Sequence, residues 1–269
     1  MDELHIVDRS FAHCDYLAYL YPSTLFRWNR DLSGITPETT VVFTDNNINY
    51  ADQLQCKRIA LIIEPEAIKP DAYSWIRDNY DKFDKVLTFD KELLAIDKKF
   101  VFYPYGTTWV TEKDLYTKSS LLSIIASDKN QTEGHQLRHS VINRFRDQYK
   151  LDIYGRGYNP LPDKMPGLKP YAFQIVIENS KKDYYFTEKL IDCFATGTIP
   201  IYWGCPSIGD FFDINGIITF DTLDELDKIL KNLSFQTYAN KFQAVVNNFN
   251  KLVDFIKTDD YIYAKLKND

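Results

Sequence analysis

Between Tyr171 and Asp210 the chain reads YAFQIVIENSKKDYYFTEKLIDCFATGTIPIYWGCPSIGD, and this stretch narrows the fold more than any other. An apolar run, Phe173 to Ile177, breaks off into Glu178, Asn179 and Ser180. A polar loop then leads to Tyr184, Tyr185, Thr187, Glu188 and Lys189, which open an amphipathic helix. Gly197 closes that helix, and a second apolar run, Ile199 to Trp203, follows at once. Two buried strands joined by a helix are a unit of a parallel sheet. In open sheets of this kind, ligands bind beyond the carboxyl ends of the strands, where helix N-termini point at anions.

The same alternation runs through the chain. In the first half, Leu4–Val7, Thr40–Thr44, Ile59–Ile63, Lys85–Phe89 and Phe100–Tyr103 read as strands. Asp71–Tyr80 has helical spacing, and the aromatic-rich interval Phe11–Arg30 is assigned a helix. A second unit follows, with a strand at Leu121–Ala126, a helix at His135–Tyr149 and a strand at Leu151–Tyr154. Gly155–Pro170 reads as a loop, and Gly216–Phe220 as a last strand. Thr222 can cap a helix whose stripe is Leu223, Leu226, Ile229 and Leu233. Ser234 can cap a longer one running through Tyr238, Phe242, Val245, Phe249, Leu252 and Ile256. The expected class is α/β, with a domain at 1–110, a second at 111–235 and a helical tail at 236–269 that crosses back onto the first.

Composition excludes several function classes. A hydrophobic content of 45% supports a full core, while a net charge of −6 and a pI near 5.3 argue against nucleic acid as a partner. Cys14, Cys56, Cys193 and Cys205 are scattered, so neither a zinc ribbon nor a disulfide framework is expected, and Cys193 reads as a buried thiol. The N-terminus lacks the pattern of a secretory signal, and no apolar run reaches the ~18 residues of a membrane span. The chain thus reads as soluble and cytoplasmic.

Phosphate binding must come from a few placed cations. Lys189, in the first turn of a helix that Thr187 can cap, adds an ammonium to the helix dipole. TEK alone is equally an ordinary helix start; ENS and YY beside it on one loop favour a site. Glu188 can accept from sugar hydroxyls, and Tyr185 can donate to a phosphate or stack on a base. Glu178 and Asn179 end a buried strand, where polar groups need partners. Arg138 and His135 open the helix after Leu121–Ala126 and should face the same crevice, Arg138 as a bidentate clamp. His135 and His139, at i and i+4, are the weaker reading as a metal pair. No Asp-x-Asp, Walker, GxGxxG or GxSxG pattern occurs, so diphosphate binding is expected to use cations and helix ends and no metal.

These residues closely resemble the signature of glycosyltransferase family 10, the α1,3/4-fucosyltransferases. The matching positions are Phe173, Ile175, Ile177, Glu178, Asn179 and Ser180; Tyr185 to Lys189; and Gly197 to Ile201, Gly204 and Pro206. Upstream, Ser127, Arg138 and the segment Asp152–Gly155 fall in the family's order. The resemblance implies a GT-B architecture, two Rossmann-like domains facing across a cleft, the second holding GDP-fucose and the first a glycan acceptor. It implies inverting, metal-independent transfer of L-fucose, with no cofactor, to a hydroxyl such as the 3-OH of GlcNAc or Glc. Lys189 and Arg138 would neutralise the diphosphate with help from Tyr185, and Glu188 would bind hydroxyls. Family members carry the general base in an E-S-P-like motif; here Ile63–Glu64–Pro65–Glu66 stands in that place, which assigns Glu64 and leaves Glu66 as its rival. The chain resembles the compact bacterial or viral type, without the anchor and stem of animal members. Two alternatives are the same fold serving another nucleotide sugar, and a binding protein without catalysis.

Overall fold

The computed structural model describes residues 1–9, 15–17 and 20–267. The first half carries β1 (Asp2–Val7), β2 (Phe26–Asn29), β3 (Thr40–Thr44), β4 (Lys57–Ile62), α1 (Pro70–Asn79), β5 (Lys85–Thr88), α2 (Lys91–Leu94) and β6 (Phe100–Phe102). Next come β7 (Ser120–Ile125), α3 (Glu133–Phe145), β8 (Asp152–Tyr154), β9 (Tyr171–Ile177), α4 (Glu188–Ala195), β10 (Ile199–Trp203) and β11 (Ile218–Thr219). The C-terminal region is helical: α5 (Leu223–Lys231), α6 (Phe235–Asn240), α7 (Phe242–Lys251) and α8 (Thr258–Lys267). The chain forms two compact units, residues 1–105 with 255–269, and residues 106–254.

The first unit is built on a parallel sheet in the order β2-β1-β3-β4-β5-β6. Its inner strands β3 and β4 are near-continuous apolar runs because both faces are covered. Val42, Ile59 and Leu61 join one core with Leu4, Ile6 and Ile262; their neighbours Val41, Phe43, Ala60 and Ile62 join the other with Tyr73 and Ile76 of α1. That division follows from the two-residue period of a strand. Helix α8 is part of this unit. The buried Asp259 carboxylate accepts from the backbone N–H of Leu17 (3.2 Å) and from Trp28 Nε1 (2.5 Å), and the Thr258 and Tyr103 hydroxyls bond to each other.

The second unit is a parallel sheet in the order β11-β10-β9-β7-β8, reversing direction between β7 and β9. It is the flavodoxin-like winding, whose binding crevice lies at that reversal. All seven residues of β9 are buried. Val141, Ile142 and Phe145 of α3, Leu226 and Leu230 of α5 and Val245 of α7 pack onto the sheet.

Two sequence expectations need correction. The helix over Phe11–Arg30 is not present in its described part, which holds β2; residues 11–14 (Cys14 among them), 18 and 19 lie outside the described residues. Phe26 and Trp28 are buried and Arg27 exposed, the two-residue alternation of a strand. The long helix after Ser234 is instead α6, α7, a short 3-10 turn and α8. Asn248 fixes α7 by accepting from the Asp213 N–H (2.7 Å) and donating to the Asp213 carbonyl (3.0 Å), while Ile256 belongs to the first unit. Gly216 lies so close to α7 that a Cβ there would stand 3.0 Å from the Ala244 carbonyl oxygen.

Candidate active site

The reversal between β7 and β9 places the start of α3 against the end of β9. Gly134 permits the contact: a Cβ there would stand 1.7 Å from the Glu178 carbonyl oxygen, and its own N–H donates to the Asn179 carbonyl at 3.3 Å. One turn on, Arg138 is 5% exposed. Its Nε donates to the Ile177 carbonyl (3.0 Å), as does its Nη2, which also reaches Asn179 Oδ1 at 3.0 Å. Burial pulls the Arg138 pKa down, opposed by Glu178, Tyr185 and Glu188.

Glu178 then ties β9 to α4. Its two carboxylate oxygens, wholly buried, accept from the Thr187 N–H (2.9 Å) and hydroxyl (2.8 Å). Thr187 is the N-cap of α4, accepting from the Lys189 N–H at 3.4 Å. The helix therefore begins at Glu188, as a Thr187 cap implies, and Tyr184 and Tyr185 precede it in the loop. Tyr184 has φ 64° and donates its N–H to Ser207 Oγ at 3.0 Å, a left-handed turn that a helix cannot include. Tyr185 is buried, 2% exposed, and Ser180 is half-buried in the loop.

Lys189, unlike Arg138, keeps access to solvent, its side chain 28% exposed. Its Nζ lies 3.0 Å from Thr187 Oγ1, 3.4 Å from Glu188 Oε1 and 3.6 Å from Glu178 Oε2. Burial disfavours an ionised Glu188, but the Lys189 and Lys164 ammonium groups outweigh it and hold the carboxyl at about 2. Glu188 is thus an acceptor throughout the neutral range.

Lys164 was not singled out in the sequence. It lies 3.5 Å from Glu188 and 2.6 Å from Asp192, and sits over the Trp109 ring at 4.9 Å. Asp192 also accepts from Thr108 Oγ1 and the Trp109 N–H, both at 2.7 Å. Asp192 stands four residues after Glu188 in an otherwise apolar helix, a signal that was there to read. Lys164 lies in the Gly/Pro-rich loop, where no local pattern marks it.

His135 closes a capping box with Thr132: its Nδ1 accepts from the Thr132 N–H at 3.3 Å. Burial, then the charges of Arg138, Lys129 and Lys189, push its pKa down to about 4, so the imidazole is neutral at physiological pH. His139 engages both ring nitrogens, on the Tyr158 hydroxyl (2.7 Å) and the Lys129 carbonyl (2.9 Å).

The structure thus brings Arg138, Glu178, Asn179, Thr187, Glu188 and Lys189 together in the second unit. Glu64 and Glu66 belong to the first unit, just past β4. The Glu64 N–H donates to Asp45 Oδ1 at 3.3 Å. Glu66 is held bidentate by Arg77, at 2.6 and 3.0 Å.

The two doubly wound parallel sheets define an α/β protein, and comparison with known proteins names the family. Residues 115–250, about half of the chain, match the model for glycosyltransferase family 10 (fucosyltransferase), C-terminal domain. The chain belongs to that family. It is 32% identical over 87 residues to the α-(1,3)-fucosyltransferase FucT of Helicobacter pylori, covering 32% of this chain and 18% of that protein. It is 35% identical over 66 residues to an α-(1,4)-fucosyltransferase of Arabidopsis thaliana, covering 23% of this chain and 16% of that one. The alignments therefore span under a quarter of either relative. Crystal structures of α1,3-fucosyltransferase with GDP (TM-score 0.59, 18% identity, 96% of this chain and 90% of that) and with GDP-fucose (0.58, 18%, 91% and 82%) share the fold. So does the pneumococcal O-GlcNAc transferase GtfA with UDP and GlcNAc, at TM-score 0.52 and 12% identity over 87% of this chain and 56% of that. The fold is accordingly GT-B, with two Rossmann-like units and a helical C-terminal region. Among the described residues no helix is long and apolar enough to cross a membrane.

Proposed function

We propose that the chain transfers L-fucose from GDP-fucose to a hydroxyl of a glycan acceptor, with inversion and without a metal ion. The observation that carries this reading is Lys189 at the capped start of α4, backed by the buried Arg138, at the reversal point of the second sheet. Cleaving a sugar–diphosphate bond places negative charge on the leaving GDP, and fixed cations and helix N–H groups stabilise that charge. Lys189 supplies the ammonium. Arg138 commits Nε and Nη2 to Ile177 and Asn179, leaving Nη1 for a phosphate oxygen. Glu188, ionised, accepts from ribose or fucose hydroxyls, and Glu178 with Thr187 holds the frame.

In this reading Glu64 of the first unit is the general base. It takes the acceptor's hydroxyl proton as the new glycosidic bond forms and the C1–O bond to the diphosphate breaks, the electron pair leaving with GDP. Glu66, paired with Arg77, remains its rival. The first unit is assigned the acceptor, with GlcNAc or Glc and an α1,3 linkage as the leading choice.

The test is a panel of GDP-fucose, GDP-mannose, UDP-sugars and CMP-sugars, with EDTA present. Melting temperature and nucleotide release are followed. Stabilisation and GDP release with GDP-fucose alone supports the proposal; a response to another donor overturns the choice of sugar and keeps the fold. That second reading draws on the cluster itself, whose cations and carboxylate grip features that many nucleotide sugars share. GDP binding without turnover across an acceptor panel would favour a binding protein.

A further inference from the structure

The first sheet also reverses direction, between β1 and β3. At the carboxyl ends of those strands, Thr44 Oγ1 donates to Asp8 Oδ1 at 3.2 Å and Arg30 pairs with Asp8 at 3.3 Å. The next residue, Asp45, is 2% exposed and has φ 37°, a left-handed backbone that few residues other than glycine adopt. Its Oδ1 accepts from the N–H groups of Ile63 (2.9 Å) and Glu64 (3.3 Å). Its Oδ2 is buried without a hydrogen-bond partner among the described residues. Such an orphan atom is costly in a folded chain and calls for an explanation.

The two structural duties of this residue, accepting from two N–H groups and tolerating a left-handed backbone, are served equally by asparagine. What asparagine lacks is a proton to lose. Among the described residues, the charged and titratable groups that act on Asp45 include Glu64 past β4, Lys69 and Tyr73 at the start of α1, and Tyr103 past β6, with the Asp8–Arg30 pair behind Thr44. We propose that Asp45 is a positioning residue for Glu64: it fixes the Ile63–Glu64 backbone and forms with Glu64 a carboxyl pair in which ionisation of Asp45 strengthens Glu64 as a base. The inference rests on the reading of Glu64 as the base.

Burial and then the Glu64 charge raise the Asp45 pKa to about 7, against the two N–H donors and Lys69. The interaction is reciprocal: once Asp45 is ionised, Glu64 holds a proton more tightly and draws it from the acceptor more readily. Asp45 itself exchanges no proton with the substrate.

The experiment is the pH profile of kcat/KM between pH 5.5 and 8.5 for the wild type, Asp45→Asn and Glu64→Gln. Melting temperature and GDP affinity are measured alongside, and the Asp45 carboxyl is titrated by carbon-13 NMR. The wild type is expected to rise severalfold through pH 7, with about 10-fold as the ceiling for coupling of about one pK unit, because the rate follows the basicity of Glu64 only in part. Asp45→Asn, folded and binding GDP normally, is expected to lose that rise. The NMR titration is expected to show Asp45 losing its proton near pH 7 and, in Glu64→Gln, at lower pH. An Asp45→Asn profile that keeps the wild-type rise, or an Asp45 ionised throughout the range, overturns the inference. An active Glu64→Gln enzyme overturns the choice of base as well. If no fucose transfer occurs with any variant, the proposed activity fails on its own, and the NMR titration alone decides whether the pair exists.

Discussion

Arg138 and Lys189 carry the same charge into different surroundings, and their loss should read differently. Lys189 is partly exposed, and when it is removed the buried Glu178 carboxylate 3.6 Å from its Nζ keeps two donors on Thr187. Lys189→Ala is expected to lower kcat by roughly 100-fold or more, as loss of a leaving-group contact does, with little change in melting temperature. Arg138→Ala should lower turnover comparably and also melt earlier, because it strips the buried Ile177 carbonyl of its donor. Thermal melts beside steady-state kinetics separate the two. His135 adds a pH signature. Its folded pKa of about 4 lies below the unfolded 6.5, so as pH falls the unfolded chain takes the proton first. Its contribution to stability is full above pH 6.5 and is lost as pH falls through 4, and His135→Gln should flatten that slope in urea melts taken between pH 7 and pH 4.

The elements that build the site meet by close approach. Gly134→Ala places a methyl group where the Glu178 carbonyl oxygen stands, so α3 and the end of β9 must separate. We expect this variant to lose both several degrees of melting temperature and GDP affinity; retained GDP affinity would show that the two elements act independently. Element starts were largely legible. Thr187, Thr222 and Ser234 all cap helices as their side-chain chemistry suggests, and Thr222 closes a capping box with Glu225. The cluster Glu178, Thr187, Glu188, Lys189 was legible too, because its members are local in sequence. Lys164 was not, since it reaches Asp192 from 28 residues away out of a loop. Nor was the break between α6 and α7, where anchoring of Asn248 to Asp213 overrides a continuous apolar stripe.

On the scale of the whole molecule, the α/β class was readable from alternating apolar runs and amphipathic helices, since both follow from local periodicity. Strand order was not, because pairing depends on contacts distant in sequence. The placement of α8 is of the same kind: its Asp259 finds Leu17 and Trp28 more than 200 residues earlier. Asp259→Ala orphans the indole N–H and a backbone N–H in a buried place, each worth about 1–3 kcal/mol. Calorimetry is expected to show the first unit melting earlier while the second keeps its transition; an unchanged trace would mean the contacts are weak.

The return of α8 also orders events in time. A ribosome emits the chain from its N-terminus, so residues 106–254 are complete in sequence, and able to fold as a unit, before the last strip of the first unit has left the exit tunnel. The first-made sheet must therefore wait, with the surface that Ile262 and Asp259 later cover still bare, until residues 255–267 have emerged. The N-terminal half should be the segment most dependent on chaperones during synthesis, although it is the half made first.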